Sequence, residues 1–146
     1  MRVEPFGRSG ADPNERGLRI LEDCPPDTVI AEFSGQLTPT ATRHTIQVGP
    51  AQHLVVDPAV LQLVCHSCRP NVRFDVTERK LISVRAIRAA DELTFFYPST
   101  EWAMVAPFNC LCGEPECFHR IDGAKSIPRE RLQSYWLAPH VRSQLA

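Results

Sequence analysis

Apolar positions along the chain recur in short runs at strand spacing more often than at helical spacing. Gly17-Leu18-Arg19-Ile20-Leu21 alternates and predicts a first strand, after a polar lead-in over 1–16. Thr28-Val29-Ile30-Ala31-Glu32-Phe33 is β-branched and aromatic, and Ser34-Gly35 is expected to stop it. Thr45–Val48 and His53–Val56 predict two more strands. Asp57-Pro58 is expected to cap a brief helix through Leu63. Val72–Thr77 and Leu81–Ile87 read as a strand pair turning at Glu78-Arg79-Lys80, and Leu93–Tyr97 as another strand. The tail from Ser126 to Leu137 has a serine at its start and apolar residues at Ile127, Leu132, Tyr135 and Trp136, which predicts an amphipathic helix. There is no internal repeat.

Thirteen prolines and seven glycines spread over 146 residues interrupt any long helix, so the expected class is mainly β with some helix (α+β). The length suits one domain. A net charge of -1 supplies no basic field for nucleic acid, so direct nucleic-acid binding is not expected. No apolar run approaches the roughly 20 residues of a membrane span, and the first residues lack the apolar core of a secretory signal. The expected setting is intracellular, cytoplasmic or nuclear, without a membrane partner.

In that setting six cysteines are poor candidates for a disulfide framework. Cys110-Leu-Cys112-Gly-Glu-Pro-Glu-Cys117 packs three thiols into one turn-rich segment, which suits structural zinc. A tetrahedral site wants a fourth ligand, and Cys68 is its best supplier. Cys24 reads as a small buried side chain.

Three segments then fall into a pattern. His66-Ser67-Cys68-Arg69-Pro70-Asn71, Asp91-Glu92-Leu93-Thr94-Phe95-Phe96-Tyr97 and Phe108–Cys117 resemble, in order and spacing, three signatures of the SET-domain methyltransferases. These are the Asn-His-Ser-Cys-x-Pro-Asn segment, the Glu-Glu-Leu-Thr-Phe-Asp-Tyr strand and the Cys-x-Cys-x4-Cys post-SET motif. The resemblance implies a SET-type β-clip with a knot-like active site over 17–105, a zinc-bound post-SET segment over 106–123 and a helical tail over 124–146. It also implies zinc held by Cys68, Cys110, Cys112 and Cys117.

It further implies S-adenosylmethionine as cofactor and a protein lysine as substrate, entering from opposite faces. Tyr97 stands at the catalytic tyrosine position. Phe95 stands where the family has Phe or Tyr, with Phe74 and Phe118 as further candidate channel walls. Gly17, Cys65, His66, Asn71 and Leu111 match cofactor-pocket or knot positions.

The chain also departs from the family. Of the usual Gly-x-Gly only Gly17 remains, with Glu15 in place of the first glycine. Cys65 replaces the asparagine before His-Ser, Phe33 replaces a common tyrosine, and the stretch from Leu37 to Cys65 is short. The leading expectation is a lysine N-methyltransferase. The alternatives are a methyltransferase of small molecules and a non-catalytic, zinc-stabilised interaction module.

Overall fold

A computed structural model describes residues 1–8 and 15–145. Strands β1 (Val3–Gly7) and β2 (Arg16–Ile20) form an antiparallel ribbon. The expected polar lead-in is therefore partly a strand: its backbone pairs with β2, setting Phe6 opposite Gly17. Next come β3 (Val29–Glu32), β4 (Ser34–Thr38), β5 (Thr45–Gly49) and β6 (Gln52–Asp57). β6 lies between β4 and β5 in one sheet. Its side chains alternate as a half-buried strand must, with Leu54 and Val56 inside and Val55 outside.

Ser34-Gly35 does not end the chain's extended run but begins β4. Gly35 has φ +150°, and a Cβ there would lie 1.9 Å from the carbonyl oxygen of Val55, so glycine permits the close approach of β4 to β6. β8 (Val72–Asp75) and β9 (Lys80–Ser83) pair as expected, and β9 continues the sheet to β3. Between the two sheets a 3-10 turn spans Ala59–Leu63. Asp57 ends β6 rather than capping that turn, which has no side-chain cap.

Two short strands, β7 (Cys65–His66) and β10 (Thr94–Phe95), pair in parallel and bring the first two sequence signatures together. The run expected to reach Tyr97 as a strand stops at Phe95, and Tyr97–Ser99 forms a 3-10 turn. Pro98 has no N–H to continue a ladder. β11 (Phe108–Asn109) pairs with β12 (Arg120–Ile121) and closes the cysteine segment on itself.

The tail divides into a 3-10 turn at Ala124–Ser126, α1 (Arg129–Leu132) and α2 (Pro139–Gln144). Ser126 caps nothing, because Pro128 and Pro139 each lack the donor that one continuous helix would need. Leu132, Leu137 and Val141 nevertheless face inward and pack with Phe96 and Ile127. The main core joins Leu18, Ile30, Leu54, Phe74, Leu81 and Leu93 across the sheets.

Candidate active site and cysteine centre

The sulfur atoms of Cys68, Cys110, Cys112 and Cys117 all lie within 4.8 Å of one another. Cys68 Sγ stands 3.9 Å from both Cys110 Sγ and Cys117 Sγ. Four thiolates at about 2.3 Å from a tetrahedral zinc sit roughly 3.8 Å apart, so the donor set and its spacing fit that ion. Without a cation, burial pushes the Cys110 thiol up to about 11 and drives Cys68 higher. At Cys112 burial is outweighed by hydrogen bonds from backbone N–H groups and neighbouring thiols, which bring it down to about 7. Backbone N–H groups of Phe118 and His119 donate to Cys68 Sγ and Cys117 Sγ at 3.5 and 3.3 Å. Such donors orient ligating sulfurs and stabilise their charge.

His66 joins this centre to the β7–β10 crossing. Its Nδ1 accepts the backbone N–H of Tyr97 at 3.1 Å, which places the ring proton on Nε2, 3.4 Å from Cys68 Sγ. Burial lowers the imidazole to about 4, so it stays neutral, as an Nδ1 acceptor must. Asn71 fastens the crossing from the other side. Its Nδ2 donates to the Glu92 carbonyl and its Oδ1 accepts the Thr94 N–H, both at 2.8 Å.

A cavity of about 810 Å³ opens along the crossing. Phe74, Phe95 and Tyr97 line part of it, and Cys65, His66, Cys110, Leu111 and Cys112 line another part. The ring centroids of Phe95 and Tyr97 lie 4.7 Å apart, and Phe74 meets Phe95 at the same distance. Burial, with Cys65 next, raises the Tyr97 hydroxyl well above its ordinary value, so it remains a neutral O–H. Burial likewise holds the Cys65 thiol protonated, pushed up to about 11.

Three expected site residues lie elsewhere. Gly17 faces the β1 ribbon: a Cβ there would meet Glu92 Oε2 at 2.7 Å and the Phe6 ring at 2.9 Å. Its missing side chain makes room for the chain's own residues. Asn71 is a buried clamp rather than a cavity wall. Phe118 packs on Phe96, and the Arg131 guanidinium stands 3.8 Å over its ring.

Sequence reasoning passed over Arg8 and Glu101, which also line the cavity. Arg8 pairs with Glu15 at 2.6 Å and with Glu92 at 3.0 Å, so Glu15 is drawn into an ion pair at one end of the cavity. No motif marks either residue, since each reaches the cavity through tertiary packing.

The chain is 37% identical over 140 residues to the methyltransferase FlvH of Aspergillus flavus, a match covering 94% of this chain and 78% of FlvH. The chain belongs to the SET-type methyltransferases. It is also 27% identical over 127 residues to the human histone-lysine N-methyltransferase EHMT1, covering 70% of this chain and 10% of that protein. Among solved structures it resembles KRYPTONITE in complex with mCHH DNA, H3(1-15) peptide and SAH, with a TM-score of 0.60 and 20% identity over 81% of this chain and 29% of the other. No family model matches the chain. The mainly β fold and the cysteine cluster agree with the SET architecture. Family membership makes the chain a methyltransferase and sets aside the non-catalytic module. No helix of the described residues is long and apolar enough to cross a membrane.

Proposed function

We propose that this protein transfers a methyl group from S-adenosylmethionine to an amine, the leading acceptor being a lysine side chain of a protein. The observation that carries the reading is the shared cavity: the Phe74-Phe95-Tyr97 wall and the Cys65-His66 segment border one space. EHMT1 is named a histone-lysine N-methyltransferase, and KRYPTONITE was solved with an H3 peptide and SAH, which supports both halves of the proposal. The DNA in that complex belongs to a protein of which this chain matches 29%.

The cavity's volume falls in the range of small-molecule and cofactor sites. Cys65, His66 and Leu111 would hold the cofactor, which supplies a methyl group on a positively charged sulfur. Zinc would be structural, held by Cys68, Cys110, Cys112 and Cys117, with no part in the transfer. The acceptor must be a neutral amine, although a free lysine ammonium has a pKa of about 10.4. Apolar walls from Phe74 and Phe95 disfavour the ammonium form and exclude water. Tyr97 keeps its proton, so it orients the amine by hydrogen bonding without adding charge.

A second reading, a small free amine as acceptor, is favoured by the short segment after Leu37. That segment is spent on the β5–β6 hairpin and one 3-10 turn, with no further element to wall a peptide groove.

Calorimetric titration of zinc-replete protein with S-adenosylmethionine tests the cofactor half, with one-to-one binding expected. Transfer of labelled methyl to lysine peptides and to free alkylamines, compared side by side, tests the acceptor. Absence of both binding and transfer in folded protein would overturn the proposal.

A further inference from the structure

Glu101 follows Tyr97 by four residues, and its N–H donates to the Tyr97 carbonyl at 3.0 Å, so one turn carries both residues to the cavity. Its carboxylate is held through one oxygen. Oε2 accepts the Gln47 backbone N–H at 2.9 Å and the Thr100 hydroxyl at 2.6 Å. Among the described residues no hydrogen bond ends on Oε1, and that atom is not fully buried. Among the described residues no cation neutralises the group: Arg8 is committed to Glu15 and Glu92, and Arg43 and His44, which border the same cavity, form no ion pair with it.

An enclosed carboxylate without a counter-ion is costly, and burial accordingly holds Glu101 above the ordinary carboxylate range against its two hydrogen bonds. The cost is removed if the counter-ion arrives with the ligand.

We propose that Glu101 is the counter-ion for the substrate, its Oε1 receiving the ammonium of an alkylamine in the cavity that Tyr97 also lines. The inference rests on the amine-methyltransferase reading and deepens it, because it assigns the selection of charged amines to one side chain. The ion pair serves capture. The amine that accepts the methyl group is the fraction that has lost its proton, so the pair determines which molecules enter the cavity.

The probe is n-butylammonium, with 1-butanol as its neutral counterpart. Each is titrated into zinc-replete full-length protein containing S-adenosylhomocysteine, and binding is followed by NMR of the aromatic rings. The wild type is expected to bind the ammonium at least about tenfold more tightly than the alcohol, a margin of about 1.4 kcal/mol. In Glu101→Gln the preference should collapse. The amide retains an oxygen to accept the Gln47 N–H, and a melting curve checks that the variant is folded.

Equal affinity of the wild type for the two probes overturns the proposal without reliance on any variant. An undiminished preference in folded Glu101→Gln also overturns it. If the ammonium preference is present but S-adenosylhomocysteine does not bind, the methyltransferase reading fails while the cation site stands.

Discussion

The backbone N–H of Tyr97 donates to Nδ1 of His66 at 3.1 Å, and the other nitrogen of that ring reaches Cys68 Sγ at 3.4 Å. One neutral imidazole therefore ties the tyrosine of the cavity to the cysteine centre.

This tie acts on the Tyr97 backbone, while the role proposed for Tyr97 in methyl transfer uses its hydroxyl. Tyr97→Phe keeps the ring contacts with His66, Phe95 and Phe108, so fold, zinc content and cofactor affinity should be unchanged. Methyl transfer should fall on the order of 100-fold through lost positioning. Single-turnover rates at saturating cofactor provide the check, and a rate near wild type would remove Tyr97 from the mechanism.

Cys112→Ser leaves three thiols for the metal. Zinc content measured by emission spectrometry should drop below one per chain, and the melting temperature should fall because structural zinc contributes directly to folding. His66→Ala should lower zinc affinity by about 10–100-fold without removing a ligand, since it deletes a partner of Cys68.

Asn71→Ala removes two hydrogen bonds and leaves the Glu92 carbonyl and the Thr94 N–H without partners. Unfolding by denaturant should show a loss of about 2–4 kcal/mol, because orphaned buried groups cost more than the bonds contributed. A loss below half a kcal/mol would mean that water replaces the amide.

His140 offers a pH test remote from the cysteines. Burial lowers its imidazole below the ordinary value, against the Nε2–H bond to the Thr100 carbonyl at 2.6 Å. The unfolded chain thus binds a proton at higher pH than the folded one. The contribution of His140 is complete above about pH 6.5 and is lost as pH falls through that value toward the folded pKa. Melting temperatures between pH 8 and 5 should fall less steeply in His140→Gln than in the wild type, and an NMR midpoint for His140 at or above 6.5 would contradict the sign.

The sequence by itself determined the fold class and the identity of the three signatures. Strand periodicity is local, so Val29–Glu32, Thr45–Gly49, Gln52–Asp57 and the β8–β9 pair were legible from side-chain alternation. The cysteine cluster was legible because zinc chemistry depends on ligand type and spacing. What only tertiary structure decided concerns residues whose surroundings come from distant parts of the chain. Gly17 carries a family glycine, yet the space beside it is filled by Phe6 and Glu92. Asn71 and Phe118 stand within or beside their motifs, but a backbone clamp and a packing contact on Phe96 use them. Arg8 and Glu101 have no motif, and they matter because folding brings both charges from distant parts of the chain to the wall of one cavity.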